Sequence, residues 1–241
     1  MAGAMPIVFV HGIRVSGACW AEQVSLLAAD HPVATPDLPG HGARRTERFE
    51  MDAAVAAVAD AIDEVGGEAV LVGHSLGGYV AIATAARHPA RVAALVPVGC
   101  TLVPSRGLRA PFLAGQRLLS RWADTGDAVM ARIFRWLLPV AVAEPMIAAG
   151  LANEVIPDVL AAGETFDPLG DLAAYPGSVH LVNGRYDHFR LHERSFLDAS
   201  PRVRLTVVPG AGHFAPLTRG GLFARLVREQ AARVGSPAGQ V

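Results

Sequence analysis

The sequence predicts an α/β fold with a mostly parallel sheet of about six strands, helices on both faces and a helical cap insertion. Short apolar segments rich in β-branched residues alternate with alanine-rich segments of helical period, which is the pattern of parallel βαβ units. The alternation lapses between residues 102 and 172, where prolines break the chain into several helices. We therefore expect a core in two parts, 1–101 and 173–241, with the cap over 102–172.

The individual elements follow from local signals along the chain. Apolar, β-branched runs predict strands at 6–10, 33–37, 69–72, 92–96, 179–182 and 203–208. Helical periodicity and alanine content predict helices at 20–29, 51–65, 79–87 and 221–234. The second helix ends before Gly66-Gly67, and the third cannot continue through Pro89.

Composition and charge exclude several classes of protein. The net charge of −1 disfavours nucleic-acid binding, and the 51% hydrophobic content is enough for a large core. No lysine occurs in the chain, so lysine Schiff-base chemistry is excluded. Cys19 and Cys100 make no disulfide framework, and neither a secretory leader nor a membrane-spanning segment is evident. We expect a soluble, cytoplasmic protein that acts on a small molecule.

The most informative motif is Gly73-His74-Ser75-Leu76-Gly77, which lies between a predicted strand and a predicted helix. A serine hydroxyl is a weak nucleophile until a base lies beside it, and a sharp strand-to-helix turn exposes the hydroxyl to that base. The two glycines let strand and helix crowd the turn. The N–H of Leu76 begins the helix, where it can stabilise a developing oxyanion. The motif and its flanks predict that Ser75 is a nucleophile.

Chemically useful side chains follow nearly every predicted strand. In chain order these residues are His11-Gly12, Asp37, Ser75, Cys100, Asp187 and His213. In open parallel sheets, ligands bind outside the carboxyl ends of the strands. The sequence therefore predicts that these residues gather at one edge of the sheet.

The order Ser75, Asp187, His213 is that of the nucleophile, acid and base in the α/β-hydrolase fold. The sequence resembles this serine hydrolase superfamily over nearly its whole length. The matching segments are residues 11–12, 37–42 (Asp-Leu-Pro-Gly-His-Gly), 73–78, 184–187 and 210–213. The resemblance implies that Ser75 attacks, His213 carries the proton and Asp187 orients the imidazole. It also implies an oxyanion hole made by the backbone N–H groups of Ile13 and Leu76.

Two features indicate which branch of the family the sequence resembles. Only about six residues precede the first predicted strand, so the N-terminal hairpin usual in the family is not expected. This trimmed start is similar to the plant methylesterase and hydroxynitrile lyase branch. A serine at position 75 argues against the haloalkane dehalogenase and epoxide hydrolase branches, which use an aspartate there.

Structural roles compete with catalytic ones for several polar residues. His74 is expected to pack or hydrogen-bond locally, and His11 and His41 to order their loops. His188 is a rival base to His213, and Asp187 could instead cap a loop. The histidines and carboxylates show no metal-ligand spacing such as His-Glu-x-x-His, so no metal site is expected.

The substrate site is expected to be largely apolar. The cap carries Trp122 and Phe134, which are candidates for its lining, although packing of the cap onto the core explains most such residues. The core contributes further candidates, namely His11, Gly12, Cys100 and Phe214.

Charge is distributed unevenly along the cap. Its first half is rich in arginine, including Arg117 and Arg121, and its second half is acidic. Either the two halves pair their charges, or part of the arginine face favours an anionic substrate.

These observations predict a serine hydrolase that cleaves a carboxylic ester, thioester or lactone through an acyl-enzyme, without a cofactor. Acyl transfer, carbon–carbon hydrolysis and lyase chemistry on the same site are alternatives. A ligand-binding protein with little turnover is a further alternative. Product analysis separates the first group, and active-site labelling with an ester assay separates an enzyme from a receptor.

Overall fold

The centre of the computed structural model, which describes residues 4–121 and 126–235, is one parallel sheet of six strands. The strand order is β2-β1-β3-β4-β5-β6, and every neighbouring pair is parallel. The strands are β1 (Ile7–Val10), β2 (Val33–Ala34), β3 (Ala69–His74), β4 (Val92–Val98), β5 (Ser178–Gly184) and β6 (Val203–Val208). The predicted α/β sheet is thereby confirmed, although β2 is shorter than expected.

The helices connect the strands and cover both faces of the sheet. They are α1 (Ala21–Leu27), α2 (Met51–Glu64), α3 (Leu76–Arg87), α4 (Arg106–Leu119), α5 (Asp127–Leu137), α6 (Val140–Ala148), α7 (Ile156–Ala162), α8 (Pro168–Ala174), α9 (Glu193–Asp198), α10 (Ala215–Thr218) and α11 (Gly220–Gly235). A 3₁₀ turn over Gly17–Trp20 precedes α1, which begins one residue later and ends two residues earlier than the helix expected at 20–29.

The sheet is buried on both faces, which explains its continuous apolar strands. Side chains alternate along a strand, so Ile7 and Phe9 face one core cluster while Val8 and Val10 face the other. Trp20 and Phe223 lie in the first cluster, and α2 and α3 supply much of the second. Burying each large apolar side chain contributes roughly 1.5–3 kcal/mol, and this burial holds the strands in register.

The strand order determines where a crevice opens at the edge of the sheet. The chain leaves β1 for β2 on one side, and β3 then returns to the other side of β1. The connections after β1 and β3 therefore diverge, which opens a crevice at the carboxyl ends of these strands. The loop that begins at His11 and the turn at Ser75 lie at this point.

Five helices separate β4 from β5, and the described residues between these strands contain no strand. We call α4 to α7 the inserted helices. The expected boundary at residue 172 falls inside α8, which packs against α3 and buries Leu172 in the core. Across residues 4–121 and 126–235, no helix combines the length and hydrophobicity that crossing a membrane requires.

Prolines in this region do not all break helices as expected. Pro157 and Pro168 lie in the first turns of α7 and α8, where a proline costs no hydrogen bond. Pro111 and Pro145 instead lie inside α4 and α6. Each helix continues through its proline, at the cost of one bond of the helical ladder.

Candidate active site

Ser75 lies on a strained turn between β3 and α3. Its backbone has φ 55° and ψ −117°, in a region that residues other than glycine rarely adopt, at a cost of roughly 1–3 kcal/mol. The Ser75 N–H donates to the carbonyl oxygen of Val98 on the neighbouring strand at 2.8 Å. The side chain is 8% exposed, so the hydroxyl faces an enclosed site.

Close backbone contacts explain the glycines around Ser75. A Cβ atom at Gly73 would overlap the carbonyl oxygen of Gly77. A Cβ atom at Gly77 would overlap the carbonyl oxygens of Val10 and His11. Because both obstacles are backbone atoms, the turn accepts only glycine at these two positions without moving the loop after β1.

His213 and Asp187 form a hydrogen-bonded pair on the loops after β6 and β5. Their Nδ1 and Oδ1 atoms lie 3.1 Å apart, and the Asp187 side chain is fully buried. Burial raises the pKa of Asp187, but the hydrogen bond and charge of His213 and the N–H of Phe189 together bring it below its usual value. Asp187 is therefore ionised at neutral pH and suited to orienting an imidazole.

A polar network fixes the loop that carries Asp187. Asn183, at the end of β5, accepts the N–H of Gly99 at 3.1 Å and donates to Glu193 at 2.7 Å. Glu193 also pairs with Arg190, whose guanidinium donates to the carbonyl oxygen of Arg185 at 2.8 Å. The two ends of the loop are thus tied together across its base.

His213 is enclosed by two further rings. The Nε2 of His74 donates to the His213 carbonyl oxygen at 2.9 Å, and the ring centroids lie 4.8 Å apart. Burial, with the neighbouring His213, lowers the pKa of His74 to about 3, so His74 is neutral. Phe189 stacks on the His213 imidazole with centroids 4.7 Å apart. These contacts restrict the imidazole to one orientation.

Two residues that line the same cleft as Ser75 have unpaired backbone donors. Neither the N–H of Ile13 nor the N–H of Leu76 donates a hydrogen bond to another described residue. Gly12 lies so close to the turn that a Cβ atom on it would be 3.5 Å from Ser75 Cβ. Unpaired donors beside a nucleophile can stabilise negative charge on a substrate oxygen.

His11 holds the loop that presents Ile13. Its Nδ1 donates to the Gly12 carbonyl oxygen at 2.8 Å, and its Nε2 accepts the N–H of Leu38 at 3.0 Å. Burial, with the neighbouring His41, lowers the pKa of His11 to about 3. The neutral ring therefore acts as a fixed spacer between two loops.

Two clefts meet at Ser75, with volumes of about 850 and 720 Å³ including the space at their mouths. Both are lined by Ile13, Arg14, Ser75 and Phe189. The first cleft lies under α7 and is lined by Met51, Leu76, Tyr79, Ile156, Val159 and Phe166, among others. The second reaches α5 and α6 and is lined by Cys19, His74, Met130, Phe134, Met146 and Phe214, among others. His213 lines the second cleft.

A family model described as the alpha/beta hydrolase family matches residues 7–226. The chain belongs to this family. Its fold is also that of a thermophilic esterase from Thermogutta terrifontis, with a TM-score of 0.78, 22% identity and coverage of 98% of this chain and 92% of the other.

Curated relatives of this chain match over part of their length. A lipase, LipV of Mycobacterium tuberculosis, is 40% identical over 97 residues, which are 39% of this chain and 37% of LipV. A pimeloyl-[acyl-carrier protein] methyl ester esterase of Vibrio parahaemolyticus is 38% identical over 132 residues, 52% of this chain and 51% of that protein. The matched part thus covers about half or less of these relatives.

Only some of the residues predicted to contact substrate line the two clefts. Gly12, Phe134 and Phe214 line the second cleft. His11 and Cys100 are buried and line neither of the two clefts, because His11 bonds to backbone and Cys100 packs against Gly78. Trp122 lies outside the described residues.

Several residues of the site were not predicted from sequence. Gly99 has φ 60°, and a Cβ atom on it would lie 2.9 Å from Asp187 Oδ2 and 3.1 Å from His213 Nδ1. Tyr79 and Arg14 line the clefts but belong to no motif. Only Gly99 left a signal, since a glycine directly after a buried strand suggests a close approach.

The other histidines near the site differ from His213 in their contacts, and a metal site is a separate question. His188 is 4.0 Å from Asp187 Oδ1 through its Nδ1, farther than His213, and its side chain is 67% exposed. His41 is buried against His11 and Phe49. Within residues 4–121 and 126–235, no group of three His, Cys, Asp or Glu side chains has the arrangement of a metal site.

Proposed function

We propose that this hydrolase cleaves a carboxylic ester, thioester or lactone of a largely apolar small molecule through an acyl-enzyme on Ser75. One observation carries the proposal: the strained Ser75 turn lies where the two clefts meet, with the unpaired N–H donors of Ile13 and Leu76 along the first cleft and His213, which pairs with the buried Asp187, along the second. Each component has a role in acyl transfer, and no other residue type is needed.

In the proposed mechanism, Ser75 Oγ attacks the substrate carbonyl carbon while its proton passes to His213 Nε2. The carbonyl π electrons move to oxygen, and the Ile13 and Leu76 N–H groups stabilise the resulting oxyanion. Collapse of this intermediate breaks the bond to the alcohol or thiol, which receives the proton from His213. Water then attacks the acyl-enzyme by the same route and releases the acid. Asp187 stays ionised throughout, consistent with its lowered pKa.

The two clefts support the choice of substrate class. A carbonyl group at Ser75 has room for its acyl part on one side and its alcohol or thiol part on the other. The walls are mainly apolar, and the hydroxyl of Tyr79 is engaged with the Leu102 carbonyl oxygen at 2.7 Å. In this proposal the inserted helices form the cap of the site. The lipase and methyl ester esterase names of the curated relatives agree with ester chemistry.

Active-site labelling tests the proposal directly. A fluorophosphonate should add one label to the protein, and Ser75→Ala should abolish both the label and the turnover of short p-nitrophenyl esters. Ser25→Ala is the matched control, because Ser25 is exposed on α1 and bonds only to the Glu22 carbonyl oxygen. A label that persists in Ser75→Ala would assign the nucleophile elsewhere.

A further inference from the structure

Arg14 occupies the junction of the two clefts, directly after the proposed oxyanion donor Ile13. Its backbone has φ 74°, a left-handed conformation that is uncommon for arginine. The Arg14 carbonyl oxygen accepts the N–H of Ala152 at 2.8 Å, and its Nε donates to Asn153 Oδ1 at 2.8 Å. The segment between α6 and α7 therefore holds both the backbone and the side chain of Arg14 in place.

The partner of Arg14 is itself fixed. Asn153 is fully buried, and its Nδ2 donates to Asp127 Oδ1 at 2.7 Å. The other oxygen of Asp127 lies 3.8 Å from Arg45. Asn153 thus presents only a neutral carbonyl oxygen to Arg14, while the nearby carboxylate is committed to other groups.

Arg14 is left without a counter-ion inside the described chain. None of the ion pairs among these residues includes it, and Nε is the only atom of its guanidinium that bonds to another described residue. Burial lowers the pKa of Arg14 below its usual value, although an arginine stays charged. The four N–H groups on its two terminal nitrogens donate no hydrogen bond to a described residue. A cation so placed beside a mainly apolar cleft gains most from an anionic ligand.

We propose that Arg14 binds a carboxylate on the substrate, so that the preferred substrates are esters or thioesters of an acid or alcohol that bears a second, free carboxyl group. The two terminal nitrogens present an end-on fork that matches the two oxygens of a carboxylate. Arg14 is the only arginine among the described lining residues, and one cation balances one negative charge. A doubly charged phosphate would lack a second partner. This inference rests on the proposed function.

The test compares matched methyl esters that differ only in the terminal group. Monomethyl glutarate and monomethyl adipate are compared with methyl valerate and methyl hexanoate, and kcat/KM is measured by titrating the acid released. In Arg14→Gln the ratio of kcat/KM for half-ester to that for neutral ester should fall about 10- to 100-fold. Arg14→Lys should restore part of the ratio, because it retains the charge. Arg121→Gln is the control, since Arg121 is exposed and lines neither cleft.

Other results would overturn the proposed role of Arg14. If Arg14→Gln lowers turnover of both series equally, or lowers only the melting temperature, Arg14 serves to anchor residues 152–153 and the inference is wrong. If the wild type hydrolyses neither series, the proposed function is wrong. The role of Arg14 is then tested by measuring the binding of a half-ester. Calorimetry on Ser75→Ala should then show monomethyl glutarate binding about 10- to 100-fold more weakly when Arg14→Gln is added. Equal affinity in the two variants would overturn the inference.

Discussion

Two walls enclose the clefts at Ser75, and they are held in place differently. The core wall, formed by the loops after the strands, is held by close contacts between backbone atoms as well as by side-chain hydrogen bonds. A Cβ atom at Gly77 would overlap two carbonyl oxygens of the loop after β1, and one at Gly99 would crowd the His213–Asp187 pair. Backbone atoms cannot turn away as a side chain can, so this wall tolerates little displacement.

The wall made by the inserted helices depends on side chains. It contributes apolar residues such as Ile156 and Phe134 to the clefts. Its polar links to the core include the hydrogen bonds to Arg14, the ion pairs of Arg45 with Asp127 and Glu154, and the ion pair Arg48–Asp158. The comparison indicates that close backbone packing constrains the Ser75 turn, whereas the side chains of the inserted helices can change without disturbing it.

The charged residues of the inserted segment pair with the core as well as with each other. Arg135–Glu144 joins the two charge types within the insertion, but Glu154 and Asp158 pair with Arg45 and Arg48 of the core. Arg117 and Arg121 are exposed and make no ion pair with another described residue. The acidic half therefore serves partly to attach the insertion to the core.

The largest effect is expected at the core wall, from Asp187→Asn. It should keep the fold and lower kcat by up to about 10⁴-fold, because the amide favours the wrong imidazole tautomer and cannot stabilise the cation. Steady-state kinetics on a p-nitrophenyl ester measures this loss. Asp198→Asn, on the exposed end of α9, is the matched control and should have no such effect. An unchanged kcat in Asp187→Asn would mean that another group orients His213.

Matched glycine substitutions compare the two walls directly. Gly77→Ala should lower the free energy of unfolding by about 3 kcal/mol or more and abolish most activity, since its methyl group meets fixed carbonyl oxygens. Gly115→Ala, on α4, meets no atom within 4 Å and should raise the free energy of unfolding by about 0.5–1 kcal/mol through helix propensity. Urea unfolding and an ester assay measure both. Similar effects at the two positions would contradict the distinction between the walls.

The same distinction explains how much could be predicted from sequence. The strands, the Ser75 turn and the positions of Asp187 and His213 could be predicted because backbone constraints leave glycines and apolar runs in the sequence. The structure confirms the sheet and brings His213 and Asp187 into contact.

Contacts between side chains that are far apart along the chain leave no such pattern in the sequence. Arg14 and Asn153 are 139 positions apart, and nothing in the residues around either one predicts their hydrogen bond. Cys100 follows a strand as the chemical residues do, yet it turns into the packing against Gly78 and away from the clefts. Position after a strand at this edge of the sheet therefore does not establish a role in the site.

Buried neutral histidines should make the free energy of unfolding depend on pH, and this effect is of intermediate size. Burial holds the pKa of His74 and of His11 at about 3 in the folded protein, whereas an unfolded histidine titrates near pH 6.5. Below pH 6.5 the unfolded state binds more protons, so stability is lost as the pH falls. Between pH 6.5 and 5 the loss should be about 1–2 kcal/mol for each histidine.

Urea unfolding at several pH values checks this dependence. His74→Gln should remove one contribution and make the profile less steep between pH 6.5 and 5, where ordinary carboxylates are still ionised. The buried His41 and His180, whose pKa values are also lowered, keep their share of the slope. Substitution of the exposed His188, whose side chain is 67% exposed, should change the profile much less. A flat wild-type profile would show that the buried rings take up protons when folded.

The smallest effect is expected where the inserted helices meet the core through charge. Arg45 bridges Asp127 and Glu154, and its side chain and that of Glu154 are each 40% exposed. Exposed pairs contribute about 0.2–1 kcal/mol, so Arg45→Gln should lower the free energy of unfolding by that amount at low salt and by less at high salt. Arg194→Gln, which removes an exposed pair with Asp198 on α9, provides the matched comparison. Because Arg45 contacts no residue of the Ser75 turn, kcat should stay within about twofold of the wild type. A loss of several kcal/mol, or a fall in kcat, would show that the ion pairs position the insertion as rigidly as backbone packing positions the core.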